Sequence, residues 1–573
     1  MRWTLPIFSL CISCLLGACG TEPQAASGDT DSTFCDSALA RVEAYMSGFP
    51  DSMERSDGYG GTAVVAAVME LDVGMNGFAP IEIGAAQHQQ FVNLMTLIQY
   101  DPALEPIPYL AESWEVSPDL SQLTFHLRDD VYWHDGTPTT ARDVAFTYIR
   151  ATNPETGYPS AGFFHYYRPG EEGVEVVDSL TVRFHLERPH ADFMDPWRTL
   201  AIMPEHLLGN VPPDELARHP FGTRCPVGNG PFRFISHIPG DRWVFQANPA
   251  FPRDLGGRPY LDRYIYRVIP ENSTLLAELL TGGIDVYISL LPEHADRVQE
   301  EEGFRVLSFP HRTVLLMGWN ARNPKLSDPR VRRALTVATN RRRILEGVRY
   351  GWGEVANSTV PPTHWAYDPA LADSLPYNPG EAVRLLTAAG WVDRDGDGIR
   401  ENEEGDPLDI EVIFNPNQER QEVGEIMQAQ LRDVGVNLRL RPMEGSSFIG
   451  LVTSPERAFE GFLLGWESEF RQDDRDLFHS EAREGPYAFS GLQDPELDRY
   501  LDTLQLIPDR GEAGVVWRSY QNRLSQLQPF TFLYFPDRQH GLNTRLQGVE
   551  MDVRGEWRNI REWRMGPEHR QTP

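Results

Sequence analysis

The stretch Leu123-Thr124-Phe125-His126-Leu127-Arg128 alternates apolar with polar residues, and Leu180-Thr181-Val182-Arg183-Phe184-His185-Leu186 repeats the alternation. Successive side chains of a strand point to opposite faces, so this period of two predicts two half-buried β-strands. Between them, Thr140 and Asp143 have the spacing of a capping box, which begins a helix. That predicted helix carries the apolar residues Val144, Phe146 and Tyr148. Strand, helix and strand in this order indicate an α/β fold.

The distal half of the chain shows the same succession of helix and strand. Asn378 is placed to cap a helix that has Pro379 in its first turn. A further helix is predicted from the helical spacing of Val423, Met427 and Leu431, and an alternating strand follows it directly over 436–440. Because 573 residues are more than a single hydrophobic core usually supports, two or three lobes are expected.

The charge of the chain excludes one class of partner. Lys and Arg number 52 against 83 Asp and Glu, a formal net charge of −31. Binding to phosphates requires Lys and Arg in excess, and the sequence contains no basic cluster, so no nucleic acid is expected as a partner. A strongly acidic surface favours solubility in an exposed compartment.

The first residues have the layout of a cleaved export signal. An apolar stretch runs from Leu5 to Leu16 after Arg2, and the segment closes on Leu16-Gly17-Ala18-Cys19. A Cys directly after two small residues resembles the lipobox of bacterial lipoproteins. That resemblance implies a lipoprotein signal peptide over 1–18 and lipidation of Cys19, which would hold the protein on a membrane. An ordinary secretory signal with a coincidental Cys is the alternative.

Residues 19–59 are predicted to form a lipid-anchored flexible tether with a short extension, because Gly20 to Thr33 contains almost no apolar residue. Anchored at Cys19, the protein is expected at the periplasmic or extracellular face of the cell membrane. Cys11 and Cys14 would leave with the signal, so Cys35 and Cys225 remain as the pair that could form a disulfide. Two free buried thiols are the alternative, because sequence does not reveal geometry.

One acidic run matches a calcium-binding pattern. Asp393, Asp395 and Asp397, with Gly398 next and Glu404 six residues beyond that glycine, fit the EF-hand loop, whose carboxylates supply oxygen ligands to calcium. Arg400 stands where an EF-hand usually has an apolar residue, and no clear helix follows. A structural calcium site and a plain Asp/Gly turn therefore both remain open. No other cofactor is predicted.

Enzymatic function is not expected, because the sequence has no constellation that carries catalysis. It contains no HExxH, no GxSxG elbow and no paired Cys and His motif. The histidines lie mostly singly, so no cluster at metal-ligand spacing supports binding of nickel or haem.

Several blocks, in order along the chain, resemble the family 5 extracellular solute-binding proteins, the oligopeptide, dipeptide and nickel binders of ABC importers. The resemblance covers roughly Val64 to Met565. Its most specific blocks are Leu110-Ala111-Glu112-Ser113-Trp114-Glu115, Thr124-Phe125-His126-Leu127-Arg128 and Trp133-His134-Asp135-Gly136-Thr137-Pro138. Further blocks are Val227-Gly228-Asn229-Gly230-Pro231-Phe232, Asp328-Pro329-Arg330-Val331-Arg332-Arg333-Ala334-Leu335 and Gly465-Trp466. Asn229 stands where the family usually has Thr, and Asn340 where it usually has Asp.

The resemblance implies a particular α/β architecture, the two-lobed periplasmic-binding-protein fold (type II, cluster C-like). Two strands cross between the lobes, and an extra subdomain is inserted in the first lobe. On this chain, lobe I would comprise 60–84, 220–318 and 538–573, the inserted subdomain 85–219, and lobe II 319–537. Ligand would contact both lobes only when they close, so binding would favour a closed shape that the importer recognises.

The resemblance also implies a site for the ligand's amino group. In peptide-binding members an acidic residue lies three positions after the matching Trp, which here is Glu469 after Trp466. A carboxylate makes a strong contact with an ammonium group in a dewatered cleft. The family usually has Asp there, and the alternative for Glu469 is an exposed loop carboxylate. Trp466 could line the ligand or pack in the core.

Other candidate ligand contacts each have a structural alternative. Trp319 and Asn320 lie where the chain should enter lobe II, and Asn320 could bond a ligand amide or only local backbone. Asn76 and Gly77 resemble the segment that lines lobe I, or form a simple turn. Arg420 is the best available cation for a ligand carboxylate, although exposed arginines are common.

The resemblance implies a monomer that captures a small-molecule ligand, a peptide in most of the family, and passes it to an ABC permease in the membrane. Relatives with the same scaffold bind sugars, opines, antibiotics or metal complexes, so another small solute is the alternative. A ligand-sensing subunit is a further alternative, because it would use the same closing trap.

Overall fold

The computed structural model describes residues 27–49, 58–79, 83–188, 190, 193–371, 374–468, 470, 472–507 and 509–570. The predicted signal peptide, the lipidation site Cys19 and the predicted ligand contact Glu469 lie outside these ranges. Across the described ranges, none of the helices has both the length and the apolar character needed to cross a bilayer.

An N-terminal helix, α1 (Ser27–Met46), precedes the first lobe. The flexible tether predicted over Gly20 to Thr33 is therefore wrong from Ser27 onward. Cys35 of this helix forms a disulfide with Cys225, with 5.3 Å between their Cα atoms, which settles the alternative that the sequence left open. The buried α1 residues Ala38, Val42 and Met46 join the core of the inserted subdomain. Cross-linking and burial thus order a segment whose composition at its start predicts disorder.

Lobe I begins with β1 (Thr62–Ala67) and α2 (Ile83–His88), which continues as one π-helical turn over Gln89–Asn93. The strands that follow are β2 (Ile98–Tyr100), β3 (Pro106–Pro108), β4 (Ala111–Val116), β5 (Gln122–Leu127), β6 (Val174–Val176) and β7 (Thr181–His185). The helices of this region are α3 (Ala141–Thr152), α4 (Pro196–Thr199), α5 (Glu205–Leu208), α6 (Pro213–Leu216) and α7 (Phe221–Arg224).

The two alternating stretches of the sequence are neighbouring strands of one small sheet. β5 and β7 pair antiparallel within the order β4-β5-β7-β6, and β2 and β3 form a separate hairpin. The predicted capping box is also confirmed: the Thr140 side chain accepts from the first turn of α3 and the Asp143 carboxylate accepts from the Thr140 N–H. This sheet and its helix fall inside the range 85–219 predicted for the inserted subdomain.

Lobe I resumes with β8 (Phe232–Ile238), β9 (Arg242–Ala247), β10 (Arg263–Val268), α8 (Asn272–Thr281), β11 (Val286–Tyr287) and α9 (Pro292–Glu300). Two further strands, β12 (Phe304–Pro310) and β13 (Thr313–Trp319), lead toward lobe II. Lobe II contains α10 (Pro329–Val337), α11 (Arg341–Arg349), β14 (Gly353–Val355), α12 (Pro379–Ala388), β15 (Asp409–Phe414), α13 (Gln418–Arg432), β16 (Asn437–Pro442), α14 (Gly445–Thr453), β17 (Gly461–Glu467), α15 (Arg475–Phe478), α16 (Pro495–Leu504) and α17 (Arg510–Leu527).

The last strands are β18 (Phe530–Asn543), β19 (Leu546–Gln547) and β20 (Arg564–Met565). Short 3-10 turns lie at Pro154–Thr156, Ala161–Phe164, Gly170–Gly173, Arg253–Leu255, Pro369–Leu371, Ser480–Ala482, Ile560–Glu562 and Pro567–His569.

The long strand β18 joins the two lobes. Its first part pairs antiparallel with β13 in lobe II, and its later part pairs with β12 and β11 in lobe I. The consecutive strands β12 and β13 make the other crossing. The sheet order is β16-β15-β17-β13-β18 on the lobe II side and β18-β11-β1-β10-β9-β8 on the lobe I side. The predicted two-lobed α/β fold is thereby confirmed.

Candidate functional site

Three adjoining cavities lie between the lobes in the part of the chain that the structure describes. The central cavity, of about 330 Å³, has walls from lobe I, the inserted subdomain and lobe II, represented by Gly77, Arg198 and Glu467. The Trp466 cavity, of about 440 Å³, lies between Trp466 of lobe II and Phe163 of the inserted subdomain. The Trp365 cavity, of about 420 Å³, lies between Trp365 of lobe II and the loop that joins β2 to β3.

The central cavity is lined by paired charges. Arg312 forms an ion pair with Glu467 at 2.7 Å, and Arg538 forms one with Glu556 at 2.5 Å. Burial by itself raises the pKa of Glu556, but Arg538 and the neighbouring histidine bring that pKa below its ordinary value. The carboxylate of Glu556 is therefore ionised beside Arg538. A wall with both signs of charge can bind the two ends or the polar groups of a zwitterionic ligand.

Phe470 of lobe II is held between two guanidinium groups. Its ring centroid lies 3.7 Å from Arg198 Cζ in the inserted subdomain and 4.1 Å from Arg312 Cζ between the crossing strands. The ring is 5% exposed and borders both the central and the Trp365 cavities. Cation–π contacts of this kind are worth about 0.5–2 kcal/mol, so Phe470 links the lobes across the cleft.

Arg510 makes a second link across the cleft. From the start of α17 in lobe II, its guanidinium donates to the backbone carbonyls of Ala103 and Leu104 at 2.7 and 2.5 Å. It also pairs with Glu105 at 3.0 Å. All three acceptors belong to the loop between β2 and β3 of the inserted subdomain. The lobes are therefore in mutual contact on the side of the Trp365 cavity.

The structure brings Trp466 to a cavity between the lobes. It lies at the end of β17, half-buried, with its ring 5.7 Å from that of Tyr487 and 5.9 Å from that of Phe489. Three positions later, Glu469 is outside the described residues. The described residues beside it, Ser468 and Phe470, both line interlobe cavities.

Trp319 and Asn320 are corrected from ligand contacts to core residues. Trp319 is 0% exposed, and its indole N–H donates to Thr531 Oγ1 at 3.1 Å. Asn320 is 4% exposed and donates to the backbone carbonyls of Arg457 and Phe459 at 3.2 and 2.9 Å. These residues sit at the lobe II end of β13, where the sheet is covered by helices, so neither lines an interlobe cavity.

Asn76 and Gly77, the two ligand contacts predicted in lobe I, have different positions in the structure. Gly77 lines the central cavity, and an added Cβ there would lie 3.2 Å from Met203 Sδ. Asn76 instead holds a turn: it donates to the Leu216 carbonyl at 2.8 Å and accepts from the Phe78 N–H at 3.1 Å. Both polar atoms of Asn76 are thus used within the protein, which corrects its prediction as a ligand contact.

Arg420 is also corrected, because it lines none of the three cavities. Its Nη1 donates to the Asn415 side chain at 2.8 Å, within the turn that begins α13. Burial lowers the pKa of this guanidinium, although the neighbouring Glu419 opposes the shift. The cations that do line the central cavity are Arg198, Arg312, Arg538 and Arg554. No periodicity or motif distinguishes these four from the other arginines, so their position could not be predicted from the sequence.

The acidic loop brings together Asp393, Asp395 and Asp397 with Glu401 in place of the predicted Glu404. One carboxylate oxygen from each of these four lies within 4.8 Å of the others. Asp393 accepts from the Gly396 N–H at 2.7 Å and Asp397 from the Ile399 N–H at 2.7 Å, so the loop is also closed by its own hydrogen bonds. Four carboxylates fit the oxygen preference of calcium.

Comparison with known proteins gives consistent similarities. Residues 105–481 match the family described as bacterial extracellular solute-binding proteins, family 5 Middle. The oligopeptide-binding protein AppA of Bacillus subtilis is 28% identical over 440 residues, 76% of this chain and 79% of that protein. Its structure in complex with a nonapeptide superposes with a TM-score of 0.72 at 25% identity, covering 89% of this chain and 100% of AppA. NikZ of Campylobacter jejuni in complex with Ni(L-His) gives a TM-score of 0.71 at 25% identity, covering 88% of this chain and 99% of NikZ.

Proposed function

Because the chain belongs to the bacterial extracellular solute-binding proteins of family 5, we propose that it captures peptides outside the cytoplasm and delivers them to an ABC permease. The observation that carries the proposal is the set of cavities whose walls come from both lobes. A ligand there contacts lobe I and lobe II together only when they close. Binding energy then favours the closed shape, which the permease can distinguish from the open one.

A peptide suits the chemistry of these walls. The central cavity offers arginines and carboxylates for charged termini, and the two outer cavities offer aromatic surfaces for side chains. The nonapeptide complex of the similar AppA supports the same ligand class. The complex of NikZ with Ni(L-His) supports a metal chelate as the competing ligand. Among the described residues, however, the one group with metal-binding geometry is the acidic loop, and none of its four carboxylates lines the three cavities.

The proposal is tested by measuring binding to the purified protein, with Glu469 as the expected partner of the ligand's amino group. Thermal shift and calorimetry are carried out with di- to nonapeptides, sugars and metal chelates, since a ligand raises the melting temperature by mass action. We expect peptides to stabilise the protein. Glu469→Gln should abolish the difference between free and N-acetylated peptides, whereas the exposed Glu484→Gln should retain it. Stabilisation by sugars or chelates alone would overturn the peptide assignment.

A lipid anchor on Cys19 is part of the proposal for location. It rests on the sequence Leu16-Gly17-Ala18-Cys19 and would place the protein beside its permease at the extracytoplasmic face of the membrane. Expression of the full chain should put it in the membrane fraction, and Cys19→Ser should move it to the soluble fraction. Equal distribution of both proteins would contradict the anchor.

Calcium is proposed as a structural ion of the acidic loop, with Asp393, Asp395, Asp397 and Glu401 as ligands. Titration of chelator-treated protein with CaCl2 should show one site, which Asp395→Asn and Glu401→Gln weaken and Glu404→Gln leaves unchanged. Absence of heat and of any rise in melting temperature would identify a plain turn closed by its own hydrogen bonds.

A further inference from the structure

The Trp365 cavity has apolar residues on both of its walls. Leu104, Phe193 and Met194 come from the inserted subdomain, and Trp365, Leu501 and Trp517 come from lobe II. At about 420 Å³ the cavity is within the roughly 300–1,000 Å³ typical of ligand pockets. It adjoins the central cavity at Phe470 and the Trp466 cavity at Gln472, so it continues the cleft between the lobes.

His364 supplies an unpaired donor in this lining. Its side chain is 5% exposed, and Nδ1 accepts from the Ala366 N–H at 3.1 Å. An accepting Nδ1 places the proton of the neutral ring on Nε2. Nε2 is buried and has no hydrogen-bond partner. A buried donor without an acceptor costs free energy, which a ligand carbonyl in the cavity would remove.

Gln472 supplies an unpaired acceptor in the same lining. Its side chain is 6% exposed, and its Nε2 donates to Asp474 Oδ1, which fixes the orientation of the amide. The other amide atom, Oε1, is buried without a partner. The cavity therefore has one donor and one acceptor left over, both on side chains that are more than nine-tenths buried.

Three carboxylates of the wall, Glu105, Asp195 and Asp474, are bonded to other side chains. Glu105 pairs with Arg510, and Asp195 accepts from the Tyr100 hydroxyl at 2.7 Å. Asp474 accepts from Tyr520 at 2.6 Å and from Thr359. Asp473 and Asp509 of the lining accept from backbone N–H groups at the starts of α15 and α17. An uncharged group with one acceptor and one donor matches the two unpaired atoms, and the aromatic rings favour a flat apolar side chain beside it.

We propose that the Trp365 cavity is a subsite for one aromatic side chain of a bound peptide. The backbone amide next to that side chain accepts from His364 Nε2–H through its C=O and donates to Gln472 Oε1 through its N–H. The subsite rests on the proposed function, since its occupant is a residue of the peptide ligand. Arg510 closes the rim through its bonds to Ala103 and Leu104, so the subsite is complete only when the lobes are shut.

The test uses an alanine heptapeptide and seven derivatives, each with one Phe at a different position, titrated into the full chain by calorimetry. Burial of a Phe side chain should tighten binding about 10- to 100-fold at one position and change it little elsewhere. Gln505→Trp places a bulky ring in the cavity lining and should abolish that preference while binding the all-alanine peptide within about twofold. Leu506→Trp is the matched control, because Leu506 is 69% exposed and outside the lining.

Two further variants keep the test decisive if Gln505→Trp fails to fold. Trp365→Ala should reduce the preference for Phe about tenfold by removing one wall, and His364→Phe should weaken all the peptides about 3- to 10-fold by removing the donor. Peptide binding without any positional preference, or a preference unaffected by Gln505→Trp and Trp365→Ala, would overturn the subsite and leave the proposed function standing. Failure of every heptapeptide and of the di- to nonapeptides to bind would overturn the proposed function itself.

Discussion

Two buried amides in lobe II, Asn320 and Gln472, have almost the same exposure but different bonding. They are 4% and 6% exposed. Asn320 donates to two backbone carbonyls and accepts from the Arg322 N–H. Gln472 donates to Asp474 and leaves Oε1 without a partner. Burial alone does not distinguish a scaffold residue from a ligand contact. The distinction lies in whether each polar atom is satisfied within the protein.

The same contrast separates two tryptophans, Trp319 and Trp466, that were both candidate ligand contacts. Trp319 is completely buried and its indole N–H is bonded to Thr531. Trp466 is half-buried and lines a cavity between the lobes. The lobe II end of β13, which carries Trp319, therefore belongs to the hydrophobic core, whereas the end of β17, which carries Trp466, borders the cleft.

The largest effect is expected from Trp319→Ala. Removal of a fully buried indole should lower the free energy of unfolding by about 3–5 kcal/mol, measured by urea denaturation. Ligand affinity of the folded variant should stay within about twofold of wild type. Trp466→Ala should show the reverse, with a small loss of stability and clearly weaker binding. A loss of ligand affinity in Trp319→Ala, measured at temperatures where the variant is folded, would contradict the assignment of Trp319 to the core and Trp466 to the ligand site.

The two amides should also behave differently when shortened. Asn320→Ala leaves the Phe459 carbonyl and the Arg322 N–H without these partners and should cost about 2–3 kcal/mol of stability. Gln472→Ala loses a single bond to Asp474 and should cost about 1 kcal/mol or less. Chemical denaturation and peptide titration of both variants check this. Equal losses of stability would show that the unpaired Oε1 has no bearing on how the residue is used.

The burial of His364, which also has an unpaired polar atom, can be tested by the pH dependence of stability. Burial, reinforced by Arg510, lowers the pKa of His364 to about 3. The native ring stays neutral at pH 5, whereas the unfolded chain takes up a proton near its usual value of about 6.5. The contribution of the neutral His364 ring to the free energy of unfolding is therefore complete above pH 6.5 and is lost as the pH falls toward 3. Between pH 7.5 and 5, wild type should lose about 2 kcal/mol more stability than His364→Phe. Parallel pH curves of the two proteins would contradict a neutral, buried His364.

The smallest effect is expected at the rim of the cleft. Arg510→Ala removes the bonds to the loop between β2 and β3, in a place where the Arg510 side chain is 31% exposed and its partner Glu105 54% exposed. The loss should be about 1 kcal/mol, seen as roughly fivefold faster dissociation of bound peptide in stopped-flow measurements. Arg518→Ala, at an exposed position of the same helix, is the control. Identical dissociation rates for both variants would remove Arg510 from the closing contacts.

Individual strands, helices and caps could be predicted from the sequence, because interactions between nearby residues form them. The alternation over 123–128 and 180–186 became β5 and β7, and the strand predicted over 436–440 became β16. Asn378 caps α12 by accepting from the Glu381 N–H, as its position before Pro379 predicted. Each of these depends on residues within a few positions of one another, so the pattern of side chains suffices to predict it.

The candidate site could be predicted only in part. Trp466 and Gly77 were identified through the family resemblance, and both line interlobe cavities. Trp319, Asn320, Asn76 and Arg420 were also candidates, yet the polar atoms of the first three bond within the protein and Arg420 lines none of the three cavities. His364, Phe470 and Arg198 were missed, because they are brought together from distant parts of the chain and share no spacing.

The sequence by itself determined the α/β class, several of the strands and helices and the acidic balance, since these depend on side-chain period, caps and composition. Only the tertiary structure decided that Cys35 meets Cys225, that Glu401 takes the place of Glu404 and that Arg510 reaches across to the inserted subdomain. The physical reason is that the Cys35–Cys225 and Arg510–Ala103 contacts join residues hundreds of positions apart, which no local pattern encodes. Which polar atoms remain unpaired in a cavity wall is likewise known only after the lobes have packed.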